Sequence, residues 1–164
     1  MKNRHMLAAL LILPMLLVKA QAAEAYPKIV RYYDGDTVKI DGGMRQYKLR
    51  INDIDAPERN QAYGKQARRA LINFCKHAQI QVQLSGTDKY QRDLGQLHCN
   101  QQSVSTYMVA NGYAWFNQRY SLDGSLLLAE QHARQQKLGL WQSSAPLPPW
   151  RWRQKHAHAY ANSP

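Results

Sequence analysis

The chain has 164 residues, of which 45% are hydrophobic and 20% are charged. This apolar content is enough to bury one core of ordinary size, so we expect a single folded domain. The formal net charge of +11 indicates a polyanionic partner, either a nucleic acid or an anionic surface, and charge alone does not choose between them. Beyond the first residues no segment approaches the length of a membrane span, which excludes a multi-span membrane protein.

The first residues have the pattern of a secretory signal peptide. Lys2 and Arg4 precede an apolar run over residues 6–18, and an Ala-Gln-Ala triplet at residues 20–22 follows it. The run is shorter than the roughly 20 residues that cross a membrane. We therefore predict that residues 1–22 are a signal peptide.

Two alternatives stay open for this segment. Cleavage after Ala22 is our prediction, but Ala23 and Ala25 would also allow cleavage after Ala25. An uncleaved membrane anchor is the second alternative, and Lys19 slightly favours it. After cleavage we expect a secreted or periplasmic protein with no stable membrane insertion. The product stays basic, because cleavage removes only Lys2, Arg4 and Lys19 of the 22 basic residues and so leaves 19 against 11 acids.

The two cysteines, Cys75 and Cys99, are expected to form a disulfide. Export would place them in an oxidising compartment, where a pair of thiols tends to be oxidised. A zinc site is disfavoured because neither cysteine has a CxxC partner or a nearby Cys/His cluster, although His98 adjoins Cys99.

The chain from residue 28 reads as three strands joined by tight turns. Two Asp-Gly turns separate stretches that suit strands. In the third strand Leu49 and Ile51 share one face with Tyr47. Arg50 therefore lies on the other face, free to contact a ligand. The predicted strands are 28–33, 36–40 and 45–51.

A helical period follows, and strand and helix patterns then alternate. Apolar residues recur at helical spacing after Gly64. Ser103 is placed to cap a second helix that Asn111-Gly112 ends, and Gly139 follows a third helix. The predicted elements are a helix over 64–77, strands over 79–84 and 94–99, a helix beginning after Ser103, and a helix over 122–137.

Five strands with a helix after the third predict an α+β fold that is mainly β. This order matches a five-stranded oligonucleotide-binding (OB) barrel with three helices better than a sandwich or a parallel sheet. We assign residues 26–142 to this domain and residues 143–164 to an irregular, basic tail containing Trp and Pro. The rings and charges at residues 150–156 suit contacts with nucleic acid or a membrane surface, or else a solvated tail with Trp packed on the barrel.

Three short segments combine acids with arginines. Hydrolysis of a phosphodiester needs a cation for the non-bridging oxygens, a base to deprotonate water, and positive donors for the charge of the transition state. Carboxylates and arginines supply all three. The segments are Asp34-Gly35-Asp36-Thr37-Val38, residues 50–58, and Asp88-Lys89-Tyr90-Gln91-Arg92.

The second segment and the first together offer ligands and a base. Asp36 and Asp55 supply carboxylate oxygens for a hard cation, and the carbonyl of Ala56 supplies another. Calcium is our prediction, although residue chemistry alone also admits magnesium or manganese. Pro57 stiffens the chain after these ligands, so that Glu58 is held near the ion to position or deprotonate water.

Arg50 and Arg92 provide planar charged groups that can form paired hydrogen bonds to phosphate oxygens. We therefore expect both to hold the phosphate in the transition state. Taken singly, each of these residues also has an ordinary structural use, since Asp-Gly turns and surface arginines are common.

The three segments together resemble the staphylococcal nuclease family over roughly residues 29–141. The segment at 34–38 looks like the first metal motif of that family, the segment at 50–58 matches its central motif in residue type and spacing, and the segment at 88–92 matches its third. Three motifs in the same order make this a specific resemblance.

The resemblance implies a role for each residue. Asp36 and Asp55 would bind calcium, and Glu58 would be the general base. Arg50 and Arg92 would hold the phosphate. It further implies attack of water on phosphorus with cleavage of the P–O5′ bond, which leaves 3′-phosphate ends on DNA or RNA.

This chain departs from the family pattern at two places. Ala56 stands where the best-known member has threonine, which matters little if only the carbonyl binds the metal. The loop between Glu58 and Tyr63 is short, and in the family that loop contributes basic residues near the substrate.

Aromatic and basic residues indicate a single-stranded substrate. The resemblance makes Tyr90 a contact to the nucleotide, and Tyr120 either a base-stacking residue or a core or rim aromatic. Lys89, with Lys39 and Lys48, lines the approach of the polyanion. Rings between cations suit unpaired bases, so we expect single-stranded DNA or RNA, or breathing duplex.

Two other functions stay possible from sequence. One is a non-catalytic nucleic-acid-binding OB module, and the other is a basic structural domain attached to the cell envelope. The complete acid and arginine set favours the nuclease, because a binding module has no need for both a base and cation ligands. We expect a monomer.

Overall fold

The computed structural model describes residues 27–157. It confirms the predicted α+β class with mainly strands. The predicted signal peptide lies outside the described residues, so its cleavage stays a prediction. Between residues 27 and 157, no helix is both long and apolar enough to cross a bilayer.

The described part of the chain contains eight strands, four α-helices and one 3-10 turn. The strands are β1 Lys28–Tyr32, β2 Thr37–Asp41, β3 Gln46–Ile51, β4 Ile54–Asp55, β5 Ile80–Thr87, β6 Asp93–Cys99, β7 Gln102–Ser103 and β8 Trp115–Phe116. The helices are α1 Gly64–Cys75, α2 Val104–Ala110, α3 Gly124–Gln135 and α4 Pro149–Lys155, and the 3-10 turn is Gly139–Gln142.

The main sheet has the order β1-β2-β3-β6-β5, with the short β7 paired to β6. β1, β2 and β3 form the predicted antiparallel meander, and β6 pairs in parallel with β3 and antiparallel with β5. In the described residues β1 and β5 are the two edges and do not pair, so the sheet is not closed. The predicted five-stranded barrel is therefore only an approximation to this open sheet.

Side chains alternate across the meander as expected for a strand with one buried face. Val38 and Ile40 in β2 are fully buried, as is Leu49 in β3. Leu71 of α1 and Met108 of α2 join the same core. Burying each such side chain contributes about 1.5–3 kcal/mol, so this cluster holds the meander against the helices.

One disulfide and two N-caps fix the ends of the helices. Cys75 at the end of α1 forms a disulfide with Cys99 at the end of β6. The hydroxyl of Ser103 accepts a hydrogen bond from the amide of Thr106 and so caps α2. Asp123 caps α3 in the same way.

The structure contains a fourth helix where residues 143–164 were predicted to be irregular. Pro149 stands in the first turn of α4, where a missing N–H has no cost. A helix of seven residues is too short to show a helical period, which explains the wrong prediction. Trp150 packs edge-on against Trp115, with ring centroids 6.3 Å apart, so the tail returns to the domain.

Candidate active site

The first motif forms a turn that buries the carboxylate of Asp36. Asp34 Oδ1 accepts hydrogen bonds from the amides of Asp36 (3.0 Å) and Thr37 (2.7 Å), which is typical of short Asp turns. Thr37 then begins β2 and pairs with Arg50 of β3. Asp36, the residue just before β2, is only 5% exposed and adjoins the strand pair that carries Arg50.

Small residues let the first and second motifs approach each other. A Cβ atom on Gly35 would lie 2.7 Å from the Cβ of Ala56 and 2.9 Å from the Cβ of Ala67. Glycine is therefore required for close approach at this position. The amide of Ala56 donates a 2.6 Å hydrogen bond to Asp36 Oδ2, which fixes the two motifs side by side.

Arg50 lies between the two predicted cation ligands. Its Nη2 atom is 3.3 Å from Asp36 Oδ2 and 3.2 Å from Asp55 Oδ1. Its Nη1 atom donates a 2.6 Å hydrogen bond to the carbonyl of Ile51. Because both carboxylates reach one nitrogen atom, the structure brings Asp36 and Asp55 together, whereas their role as ligands stays a prediction.

Short elements hold Asp55 and Glu58. Asp55 belongs to β4 and lies opposite Trp115 of β8. The amide of Glu58 donates to Gln61 Oε1 (3.0 Å), and its carbonyl accepts from the amide of Gln61 (2.8 Å). A Cβ atom on Gly64 would lie 1.9 Å from that carbonyl oxygen, so glycine lets the loop close onto α1. The second motif is thus fixed between β8 and α1.

Arg153, which the three motifs do not include, completes the cluster of acids and arginines. From α4 it places Nη2 at 2.7 Å from Asp55 Oδ2. Its Nη1 atom lies 2.7 Å from Glu58 Oε1 and 3.1 Å from Asp55 Oδ1. In sequence, 95 residues separate Arg153 from Glu58, so no local spacing could reveal this contact. The only signal was the basic, Trp-containing composition of the tail.

Burial raises the pKa of the three acids in the cluster. For Asp36, burial raises the pKa from 3.8 to about 6, although the nearby Arg50 charge opposes the shift. Burial also raises the pKa of Asp55 and of Glu58, against the hydrogen bonds from Arg153. Two guanidinium groups therefore do not fully offset the loss of water around these carboxylates, and additional positive charge would favour their ionised forms.

The available donor atoms fit a hard divalent cation. Asp36 and Asp55 offer carboxylate oxygens to one region of space, which guanidinium nitrogens now contact. Within residues 27–157 no group of three His, Cys, Asp or Glu residues is arranged to hold a metal. A site with two carboxylates leaves room for carbonyl and water oxygens, as calcium and magnesium prefer, and differs from a closed zinc site.

The third motif forms a turn beside β3. Asp88 Oδ1 accepts hydrogen bonds from the amides of Tyr90 (2.8 Å) and Arg92 (3.0 Å). Asp88 Oδ2 accepts from Arg92 Nε at 2.8 Å and pairs with its Nη2 at 2.7 Å. Parallel pairing places Leu94, just after this turn, opposite Arg50. The ion pair of Arg92 in the described structure is with Asp88, so Arg92 is brought near the cluster without joining it.

The predicted substrate-binding residues are on the surface. Tyr90 is 68% exposed, and its ring centroid lies 5.1 Å from Lys89 Nζ and 5.5 Å from Arg92 Cζ. Tyr120 is 75% exposed and has Arg119 Cζ at 5.7 Å from its ring centroid. Tyr120 is therefore not a core aromatic, and both rings are accessible to a ligand.

The open sheet and its cluster of acids and arginines define an SNase-like fold with the chemistry of a phosphodiesterase. Residues 48–143 match the family model of staphylococcal nuclease homologues. The chain belongs to the staphylococcal nuclease family. It matches this family over both the second and third motifs.

Several curated proteins are similar over most of the chain. An "uncharacterized endonuclease" of Escherichia coli is 34% identical, covering 81% of this chain and 88% of that protein. A protein of the same name from Haemophilus influenzae is 32% identical, covering 94% of this chain and 88% of that protein. A "micrococcal nuclease" of Shigella flexneri is 32% identical, covering 88% of this chain and 90% of that protein. These similarities support a nuclease, and specifically an endonuclease, function.

Proposed function

We propose that this chain is an exported, calcium-dependent nuclease that hydrolyses phosphodiester bonds of DNA or RNA and leaves 3′-phosphate ends. Membership of the family supports the nuclease activity, and the ion, the export and the product ends are our additions. The observation that supports the proposal most is the meeting of Asp36, Asp55 and Glu58 around Arg50 and Arg153.

The cation would be held by Asp36 and Asp55, with the carbonyl of Ala56 as a third protein ligand. When bound, calcium supplies positive charge that stabilises the phosphate in the transition state. The two carboxylates are almost fully buried and fixed by hydrogen bonds, which supports their use as pre-positioned ligands.

Glu58 is the residue best suited to take a proton from water. Its side chain is 20% exposed, so water can reach it, whereas Asp55 is 4% exposed. A raised pKa makes Glu58 a stronger base than an ordinary surface carboxylate. Arg50 and Arg92 would hold the phosphate oxygens. Arg92 contacts Asp88 through Nε and Nη2, so its Nη1 atom is not used in that pair.

A row of basic residues supports binding of a phosphate backbone next to the site. Arg31 pairs with Lys39, and Lys39 pairs with Lys48, across β1, β2 and β3. Arg31 and Lys48 also lie 4.9 Å and 4.6 Å from the ring centroid of Tyr33. Like charges facing each other across strands are unfavourable unless an anion joins them. Lys48 is two residues from Arg50, about 6.6 Å along a strand, so the row adjoins the site.

The exposed rings favour unpaired bases as ligands. Tyr90 and Tyr120 each carry a cation near the ring, and Lys89 adds charge at the same turn. Bases stack on such rings only when they are not already stacked in a duplex. We therefore propose single-stranded DNA or RNA as the preferred substrate, acted on by a monomer.

The test is digestion of denatured DNA by the protein without residues 1–22, with calcium or with chelator. Chelator should abolish cleavage. Glu58→Gln should lower the cleavage rate at saturating calcium by at least about a hundredfold, the usual scale for a positioned acid or base. Asp123→Asn is the matched control, because it removes one exposed carboxylate and asparagine caps a helix equally well. Its rate should equal that of wild type.

Calcium-independent digestion or a fully active Glu58→Gln variant would refute the mechanism. Binding of DNA without cleavage by the wild-type protein would instead favour the non-catalytic binding module. End labelling of the products distinguishes 3′-phosphate from 5′-phosphate ends, and 5′-phosphates would contradict the proposed bond cleavage.

A further inference from the structure

The C-terminal helix α4 places a guanidinium group on two acids that the proposed reaction requires. Arg153 forms paired bonds with both oxygens of Asp55 and a third bond with Glu58. Paired bonds between a guanidinium and a carboxylate are among the strongest polar contacts in proteins. Arg153 is 40% exposed, whereas its partners are 4% and 20% exposed.

This contact and a bound cation would compete for the same atoms. Both oxygens of Asp55 accept hydrogen bonds from Arg153, and Oδ1 accepts a second one from Arg50, so Arg153 occupies positions at which a cation would bind. A dication and a guanidinium sharing one carboxylate would also repel each other across a few ångströms in a partly buried site. Glu58 is engaged in the same way, because its Oε1 atom accepts a hydrogen bond from Arg153 Nη1.

Contacts outside the cluster also join residues 147–150 to the domain. Gln61 Nε2 donates to the carbonyl of Leu147, Pro149 is buried, and Trp150 touches Trp115 edge-on. A groove of about 340 Å³ remains open beside Trp150 and Trp115. In α4 only Pro149 is buried and four of the seven residues are exposed, so the helix lies on the surface of the domain. Because Gln61 also bonds to the backbone of Glu58, this segment and the loop of the base are joined directly.

We propose that α4 is an intramolecular latch in which Arg153 occupies Asp55 and Glu58 until a divalent cation displaces it. The latch keeps the site inactive and its carboxylates neutralised when the cation is scarce, and opens it when the cation is abundant. This inference rests on the proposed function, since it requires a cation at Asp36 and Asp55. Linkage makes the effect reciprocal, so the cation must loosen α4 by the same factor by which Arg153 weakens cation binding.

Calorimetric titration of calcium into the exported chain tests the latch without measuring cleavage. Arg153→Gln should bind calcium at least about fivefold more tightly than wild type, the lower end of typical coupling between sites. Arg153→Lys should be intermediate, because it keeps the charge and loses the paired geometry. Arg151→Gln is the matched control, since Arg151 is an exposed residue of the same helix, and its calcium affinity should equal that of wild type.

Hydrogen exchange gives a second measurement. Saturating calcium should accelerate exchange of the α4 amides in wild type and leave them unchanged in Arg153→Gln, where the latch is already open. Equal calcium affinity of wild type and Arg153→Gln would overturn the latch and leave the cation site intact. Unchanged affinity with a loss of DNA cleavage would also overturn it and make Arg153 a contact to the substrate. No calcium binding to wild type or to either variant would refute the cation site itself, and the latch with it.

Discussion

Asp36 is a buried acid in the environment that would hold a cation, and this has a consequence for stability. Its pKa is raised by burial to about 6, against 3.8 for an ordinary aspartate. The native protein therefore holds a proton that the unfolded chain releases between roughly pH 4 and pH 6, so the contribution of Asp36 to stability is lost as the pH rises through this window.

Asp36→Asn should accordingly stabilise the protein at pH 7 in the presence of chelator. Removal of the buried charge is expected to raise the free energy of unfolding by up to about 3 kcal/mol, at about 1.4 kcal/mol per pKa unit. The asparagine oxygen can accept from the amide of Ala56, and its NH₂ group can donate to the hydroxyl of Thr37 in place of the bond that Thr37 donates to Asp36. Urea unfolding at pH 7 and pH 4 measures the difference, which should nearly vanish at pH 4.

Calcium should reverse which of the two proteins, wild type or Asp36→Asn, has the higher free energy of unfolding. Wild type should gain stability on adding calcium, whereas Asp36→Asn should not, because it lacks a charged ligand. A variant less stable than wild type in chelator at pH 7 would mean that the pair between Asp36 and Arg50 outweighs the cost of burial.

At the residue scale, the sequence predicts four of the five members of the cluster, whereas Arg92, predicted with them, pairs with Asp88 instead. Asp36, Arg50, Asp55 and Glu58 lie in short motifs whose spacing reflects the local turns that position them. Arg153 contributes through an ion pair between segments far apart in the chain, and such a contact depends on the path of the tail, which no local pattern records.

At the scale of elements, periodicity predicts the longer strands and helices and misses the shortest. β4 and β8 have two residues each, which is too few to show the alternation of apolar and polar residues that identifies a strand. Yet they are important for the site, because their pairing fixes Asp55 opposite Trp115. α4 was missed for the same reason of length. The disulfide was predictable, because only two cysteines are present and export favours oxidation.

The disulfide between Cys75 and Cys99 should contribute measurably to stability. The bridge connects residues 24 apart and joins the end of α1 to β6. The double variant Cys75→Ala with Cys99→Ala should lose about 2–4 kcal/mol of unfolding free energy, which chemical denaturation measures. Addition of reductant should destabilise wild type and leave the double variant unchanged. Equal stability of the two proteins would contradict this expectation, and so would a mass of the unreduced protein that shows two free thiols.

At the scale of the whole molecule, topology explains how separate motifs meet. The meander pairs Thr37, the residue after Asp36, with Arg50, and parallel pairing of β3 with β6 brings the turn of Arg92 alongside. This parallel step requires a crossover, and α1 lies within it. The order of elements predicted a closed barrel, but the edges of the sheet were not predictable, because closure depends on strand tilt and stagger, which a one-dimensional pattern does not contain.

The most direct test of this account is a crystal structure of the chain without residues 1–22, grown with calcium, with the ion located by anomalous scattering. We predict one calcium ion within about 2.3–2.6 Å of carboxylate oxygens of both Asp36 and Asp55, with Glu58 facing it. A saturated crystal with calcium elsewhere, or with no ion between these two carboxylates, would contradict the account.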